Sequence, residues 1–573
     1  MTEFYKRTKS SDNFKLNKLF IFFPLSMVLL AIIGGHLSFT NIPYWDMWDG
    51  SLIFLNSFKE TNNIKLFWTQ HNEHRIVLSK VLFLVNEILF DSNYIFLIFI
   101  NYLIIFIISA FFIKIFLNYA HDLVDFNFKY YFCCIIVAWI FQWMQSQNIT
   151  WAFQSQFLLV QLLPLFSFYL ISNFLIDKNL ISFYLSLFFA ILSVGTMANG
   201  VIVLPLLTLF LFEYKKLKFT FFITLLLSIF SISFYFYDYI SPPSHGNVVE
   251  TLFNHPLLFI KYSLTYLGSP FHHLFRGFLG GGLAIFFGFL LITIFIILIF
   301  RYFKNYNNIN CSLLHKSMLF YLAFIILSSL ATAGGRAIFG SNQALDSRYT
   351  TPAIISWVLI AILNYKFIYK IYVENKKFST VAILFYFILF LMFTLQFRAL
   401  NNSNLLNYKL AGLAAGLNID DTKIISEIYP NSKVAIEIAT KSQQLKTSIY
   451  RKEPFTNTDY NNIKFQYTIT SPAKYSCIGA IDKIIDIENI TGYSKIYGWI
   501  YNYDKKNVPE YIYIFNNGTL IGKGVVGFDR PDVSIQHGKE SYRSGFIGYI
   551  YSIHNIKNKF TITDLFQDCY FSY

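Results

Sequence analysis

Pro43-Tyr44-Trp45-Asp46-Met47-Trp48-Asp49-Gly50 follows almost directly on an apolar segment near residues 19–38. A second polar stretch, Thr69-Gln70-His71-Asn72-Glu73-His74-Arg75, stands before the next long apolar run. Read together, they place acids, imidazoles and an arginine at the lip of a membrane, where such groups are costly unless used. If Trp45 to Asn56 forms a short helix, Asp46 and Asp49 share one of its faces. The chain on either side reads as a scaffold for this loop.

Composition supports the membrane reading. Of the 573 residues 55% are apolar and only 14% are charged, against roughly 25% charged in a soluble globular protein. The formal charge of +14 does not imply nucleic acid here, because basic residues collect in the cytoplasmic loops of multi-pass proteins. Lys6, Arg7, Lys9, Lys15 and Lys18 put the N-terminal tail inside, so the first span delivers residues 39–75 to the outer side. No small-residue cleavage pattern precedes Asn41, and the first apolar segment is read as a retained helix.

Further along, Ile76 to Phe90 is apolar but broken by Lys80, Asn86 and Glu87, and it reads as an interfacial helix. Tyr94 to Leu117 crosses inward. Later spans are expected near 131–145, 157–176, 180–196, 200–212, 219–238, 280–300, 317–333, 352–372 and 379–397, about eleven crossings in all. Loops expected inside carry Lys215, Lys216 and Lys218, then Arg301, Lys304 and Lys316, then Lys366, Lys370, Lys376 and Lys377. The odd count leaves the C-terminal region outside. Within it, residues 402–455 suggest a few amphipathic helices, and from about 465 the pattern turns β-like. Ile512 to Phe515, then Asn516-Asn517-Gly518, then Thr519 to Ile521 reads as a hairpin with an Asn-Gly turn. The expected domains are therefore 1–400 in the membrane with a first outer loop at 39–93, a helical connection over 401–464, and a β-rich domain over 465–573.

Several groups carry chemistry, each beside a plainer use. Asp46 and Asp49 suit a catalytic base, although acids also favour the first turn of a helix. His71, Glu73, His74 and Arg75 suit a substrate site, or a polar loop packed at the bilayer surface. Their spacing is no zinc-protease signature; a divalent cation, Mg or Mn, on His71 and Glu73 is the weaker alternative. Gly334-Gly335-Arg336 and Asp346-Ser347-Arg348-Tyr349 fall in an outer loop, where arginine forks and a glycine-loosened backbone suit phosphate oxygens. Pairing of the arginines with Asp346 or with lipid headgroups is the plainer use. The outer segment 239–279 holds His245, His255, Lys261, His272, His273 and Arg276, and Phe253 to Leu267 there reads as an amphipathic surface helix. Gln142, Gln145, Gln147, Asn148, Trp151, Gln154 and Gln156 form an amide-rich outer loop that suits carbohydrate or a polar bundle mouth. Of five cysteines, only Cys477 and Cys569 fall outside, both in the β-rich domain, where a disulfide between them would close most of it.

An acidic pair in the first outer loop, an interfacial helix after it, about eleven spans and an outer C-terminal domain resemble the GT-C class of integral-membrane glycosyltransferases. The anchors are Trp45-Asp46-Met-Trp-Asp49, Gln70-His71-Asn-Glu73-His74-Arg75 and Ala344-Leu-Asp-Ser-Arg348-Tyr349, and the likeness covers residues 1–400. The chain is also similar to bacterial multispan proteins that decorate surface polysaccharide or O-antigen. The resemblance implies a polyprenyl-phosphate-linked sugar as donor, a glycan or lipid-linked acceptor, membrane lipids as surroundings and the outer face of the inner membrane as the place. It implies Asp46 or Asp49 as base, and it leaves metal dependence open. The phosphate leaving group needs no general acid, only charge stabilisation, which falls to Arg336 and Arg348. One base and one leaving face imply inversion at the anomeric carbon. A lipid-linked glycan transporter or flippase, or a glycan ligase or polymerase, is the alternative; no pair of matched, Gly/Pro-broken spans argues for the former.

Overall fold

The computed structural model describes residues 18–573 except 215–217, 243–245, 276, 278–279, 305–308, 375–379, 402–404, 457–474, 489, 491, 552–559 and 567. The basic residues of the N-terminal tail before Lys18, together with Lys215, Lys216, His245, Arg276, Lys376 and Lys377, lie outside the described residues. The chain forms two compact units. One gathers Met1–Phe39, Phe67–Leu82 and Ile95–Asn402; the other gathers Thr40–Leu66, Phe83–Tyr94 and Ser403–Tyr573. The first outer loop is thus divided between them.

The first unit is a helical, multi-pass membrane body. Seven helices among the described residues are long and apolar enough to cross a bilayer: Lys18–Leu37, Ile95–Tyr119, Ser155–Asp177, Lys218–Phe236, Gly282–Lys304, Leu313–Phe339 and Ile383–Leu400. Ser347–Leu363 and Tyr365–Glu374 make an eighth if their 67° bend is one broken span. The other three expected crossings fall on helices as well, Phe126–Ile140, Leu180–Val194 and Ala198–Phe212. Phe126–Ile140 and Leu180–Val194 have 15 residues each. At about 1.5 Å per residue such a helix falls short of a hydrocarbon core of about 30 Å. The apolar periods located the helices, while span length supports seven or eight of the eleven.

Lys218–Phe236 displays the membrane logic. Its buried stripe is Thr220, Thr224, Ser228, Ser231 and Tyr235, and Phe219, Phe222, Leu226, Ile229 and Phe230 point outward. In water that pattern would be inside out. In lipid, small polar residues let helices approach and apolar ones face acyl chains. Thr224 donates to the Thr220 carbonyl at 2.8 Å and Ser231 to that of Ser228 at 2.9 Å, so these two hydroxyls are satisfied on their own helix.

Pro256–Leu274 is where a surface helix was expected. It is a helix, but Phe259, Tyr262, Tyr266 and Leu267 bury one face against neighbours in the first unit. Its crossing with Gly282–Lys304 needs two glycines. A Cβ on Gly268 would lie 1.9 Å from the Ala284 carbonyl oxygen, and one on Gly288 1.9 Å from that of Leu264. The helices meet backbone to backbone, and a flat surface position would not require that.

The second unit joins short helices to a β-barrel. Leu405–Gly416, Thr422–Ile425 and Ser432–Gln444 are the helices expected over 402–455. The strands are β1 (Tyr475–Asp486), β2 (Tyr493–Asn502), β3 (Tyr511–Asn516), β4 (Thr519–Phe528), β5 (Gly545–Tyr551), β6 (Phe560–Asp564) and β7 (Cys569–Ser572). They close in the order β1-β2-β5-β4-β3-β6-β7, and β7 returns parallel to β1. The expected hairpin is β3–β4. Asn517 and Gly518 both take positive φ, 49° and 79°, as a primed turn demands. Cys477 and Cys569 are bonded, with Cα atoms 5.3 Å apart, and tie β1 to β7 where the barrel closes. Ile496, Ile500, Ile512, Ile514 and Ile562 fill its interior. Val525 of β4 and Tyr549 of β5 instead join a core with Trp48, Leu52, Leu413, Ile425 and Tyr450.

Candidate functional site

The first unit brings two of the sequence motifs together. His71-Asn72-Glu73-His74 closes as a tight turn, His71 and His74 exchanging backbone hydrogen bonds of 2.8 and 2.9 Å while Asn72 takes φ 47°. Arg75 anchors this turn. Its guanidinium donates to the carbonyls of Tyr235, Trp68 and Tyr237 at 2.9, 2.7 and 2.7 Å, with the Trp68 and Tyr235 rings beside it. Arg75 is 4% exposed, and its donors serve the backbone. It is a positioning residue. Lys80 donates to the Thr69 carbonyl and hydroxyl at 2.7 Å, and burial, then the Arg75 charge, pushes its pKa down to about 8.

Glu73 leaves the turn toward Arg336, the last residue of the helix Ile309–Arg336. Nε and Nη2 of Arg336 donate to the same oxygen, Glu73 Oε1, at 2.9 and 2.6 Å. His74 Nε2 lies 3.8 Å from that oxygen. His74 Nδ1 accepts the Ala198 backbone N–H at 3.2 Å, so the neutral ring carries its proton on Nε2, facing Glu73. His71 packs edge-on against Phe153 at 5.2 Å.

Beyond Arg336 the chain runs through short 3₁₀ turns, with Gly340 at φ 89° allowing the reversal. They set Arg348 beside Asp346, Nη2 to Oδ2 3.4 Å, with its guanidinium 5.3 Å over the Tyr349 ring. Burial raises the Asp346 pKa, opposed by the charges of Arg348 and Arg336. Arg336 and Arg348 are close enough to repel, and Glu73 and Tyr349 act on Arg336 electrostatically. His273 Nε2 donates to the Leu345 carbonyl at 2.9 Å, and burial, then His272, lowers its pKa to about 4, so it holds the turn as a neutral ring.

The amide loop fastens this segment from the other side. Arg348 N donates to Gln147 Oε1 at 3.3 Å, and Asn148 Nδ2 donates to the Arg348 carbonyl and to Thr351 Oγ1 at 2.9 and 2.7 Å. Thr351 in turn donates to Gln145 Oε1 at 2.7 Å.

Asp46 and Asp49 belong to the second unit. Trp45 takes φ 47°, rare for a bulky residue, and its N–H bonds the Ile428 carbonyl at 2.8 Å. The expected helix follows: Asp46 and Met47 lead into a π-turn at Trp48–Leu52 and then the α-helix Ile53–Thr61. Buried Trp48 fixes the start by donating Nε1 to the Pro43 carbonyl at 3.0 Å. Asp49 is exposed and accepts the Tyr429 hydroxyl at 2.8 Å. Desolvation by its surroundings raises the Asp49 pKa, against the Tyr429 hydrogen bond and with the charge of Asp46. Tyr429, 380 residues away, gave no signal in the sequence.

Among the described residues no group of three or more His, Cys, Asp and Glu is placed to hold a metal ion. For the pair named for a divalent cation, Glu73 Oε1 is engaged by Arg336 and the His71 ring lies against Phe153. In comparison with known proteins, the chain matches no family model, no curated protein and no solved structure.

Proposed function

We propose that the protein is an inverting, GT-C-like glycosyltransferase that moves a sugar from a polyprenyl phosphate to a glycan or lipid-linked acceptor. In this reading the chain crosses a bacterial inner membrane about eleven times, with the N-terminus cytoplasmic and the C-terminal unit extracytoplasmic. The observation that carries it is the meeting of Glu73 and Arg336 beside Arg348, Asp346 and Tyr349, at the end of a span-length helix. Two guanidinium groups there, each with a carboxylate partner, suit a phosphate that arrives on a membrane lipid and leaves with the bonding electrons of the anomeric C–O bond.

The remaining roles follow from chemistry. An ionised Asp46 or Asp49 takes the acceptor hydroxyl's proton as its oxygen bonds the anomeric carbon. Asp49 has the support of a raised proton affinity and of Tyr429, which fixes its carboxylate. His71, Glu73, His74 and Tyr349 serve the donor site, and Arg75 keeps their turn in place.

The test is transfer of radiolabelled sugar from undecaprenyl-phosphate hexoses and pentoses to extracted lipid and glycan acceptors. Asp46→Asn and Asp49→Asn should each be compared with the parent in membranes. Loss of transfer in one or both, at normal expression, supports the base. Near-normal transfer by both removes it. Movement of labelled lipid across proteoliposomes without any transfer would establish the transporter instead.

A further inference from the structure

Lys523, in the middle of β4, has no solvent exposure at all. It pairs across the sheet with Tyr513 of β3 and Tyr549 of β5, on the outer face of the barrel. Its ammonium is fully occupied by one short segment. Nζ donates to Glu453 Oε2 at 2.7 Å and to the carbonyls of Pro454 and Thr456 at 3.2 and 2.7 Å. Burying an ammonium costs about as much as its partners return, so what Lys523 supplies is placement more than stability.

The clipped segment is a strap inside the second unit. Phe455 is buried, and its carbonyl lies where a Cβ on Gly416 would come within 2.3 Å. Gln443 Nε2 donates to the Gly416 and Phe455 carbonyls at 2.6 and 2.9 Å, which fixes the strap to the helices as well. From Phe455 a run of packed rings leads to the acidic loop. Phe455 meets Tyr450 edge-on at 6.4 Å, Tyr450 lies 5.9 Å from Trp48, and Trp48 lies 5.9 Å from Tyr429. Tyr450 and Trp48 are both 0% exposed. Tyr429 ends the run by donating its hydroxyl to Asp49. The helix that follows Asp49 is held by the same region, since Asn56 Nδ2 donates to Ser442 Oγ at 2.9 Å and Lys59 Nζ to the Lys446 carbonyl at 3.0 Å.

We propose that Lys523 is a positioning residue for Asp49: it clips the strap that seats the acidic loop, so the Tyr429–Asp49 hydrogen bond depends on the barrel. The inference rests on the proposed transfer for the role of Asp49 as base, and the tie between barrel and loop stands apart from it.

The experiment has two arms on the full chain in detergent. The first is hydrogen exchange read by mass spectrometry. Lys523→Met keeps the apolar stem and removes the ammonium, and it should speed exchange over Trp48–Thr61 and over 450–456 about tenfold or more. Glu453→Gln keeps an acceptor oxygen at a side chain that is 30% exposed, and it should act in the same direction by a smaller factor. Lys505→Met removes an exposed charge of the same barrel and should leave Trp48–Thr61 unchanged. Unchanged exchange over Trp48–Thr61 in Lys523→Met overturns the proposal, and so does an equal rise in Lys505→Met. If Lys523→Met does not fold, Glu453→Gln decides, and no change there overturns it.

The second arm is the pH–rate profile of transfer. Lys523→Met should move the acid limb to higher pH, as Tyr429→Phe does, and the double variant should move it no further. Additive shifts, or a limb that moves for Tyr429→Phe alone, separate Lys523 from Asp49 and overturn its positioning role. If the parent transfers no sugar, the glycosyltransferase reading fails, and the exchange arm still decides whether the barrel holds the loop.

Discussion

Replacing Glu73 by Gln should tighten the hold on a lipid phosphate, and the ion pair sets the size of the effect. Arg336 spends Nε and Nη2 on one Glu73 oxygen at 2.9 and 2.6 Å, and the two side chains are 15% and 21% exposed. Opposite charges about 4 Å apart attract by roughly 4 kcal/mol at an effective dielectric near 20. Hydration regained when the pair opens cancels much of that, leaving about 1–2 kcal/mol. A phosphate that takes over Arg336 must overcome this attraction and also approach the Glu73 carboxylate. Glu73→Gln removes both obstacles while keeping a neutral acceptor for the guanidinium. The dissociation constant of undecaprenyl phosphate, measured by titration calorimetry in detergent, should fall about 5–30-fold. Arg336→Ala should raise it about tenfold or more. If Glu73→Gln weakens binding as much as Arg336→Ala does, the carboxylate aims the guanidinium instead of competing for it, and the reasoning is refuted.

Two other outcomes follow from the same geometry. If Asp49 is the proposed base it acts only when ionised, so transfer should fall as pH drops through its raised pKa; Tyr429→Phe removes the hydrogen bond that lowers that pKa, and the acid limb of the pH–rate profile should move to higher pH. An acid limb that stays in place would mean that another group titrates. Gly288→Ala puts a methyl 1.9 Å from the Leu264 carbonyl oxygen and should lower stability by about 1–3 kcal/mol in thermal unfolding, whereas Gly282→Ala, with nothing within 4 Å, should not.

How far the sequence could be read depended on how local each signal was. The Asn517-Gly518 turn needs positive φ at two successive residues, a demand written in two letters, and the hairpin formed there. The apolar segments also became helices where expected, because helical period and hydropathy are properties of short windows. Length told less. Leu180–Val194 has the composition of a span but only 15 residues, and where one hydrophobic run ends in an irregular turn is a tertiary matter. The site was half legible. Arg75 and Arg336 look alike as single arginines near a membrane; one is saturated by three carbonyls and the other meets Glu73 from 263 residues away. No spacing rule reaches that far. The same holds for Tyr429 on Asp49, and for the way 40–66 gathers with 403–573 in one unit while 67–82 gathers with the membrane helices.

The difference between those two arginines bears on what the site can accept. Carbonyl partners satisfy the hydrogen bonds of Arg75 without cancelling its charge, which, after burial, is the second cause of the depressed Lys80 pKa. Around the 71–75 turn and the 336–349 segment, three arginines, Arg75, Arg336 and Arg348, stand against two carboxylates, Glu73 and Asp346, and burial raises the proton affinity of Asp346. The balance is positive by at least one charge. A neutral glycan would leave that excess uncompensated in a partly buried place, where it is expensive. A sugar esterified to a lipid phosphate is a phosphodiester with a single negative charge, and it restores neutrality. If the proposed transfer takes place here, the lipid phosphate left behind is a monoester of between one and two charges, and the same field would hold it more strongly than the donor. Under the proposed transfer, that asymmetry would favour the charge separation of the step, because the site would stabilise the leaving phosphate more than the bound donor.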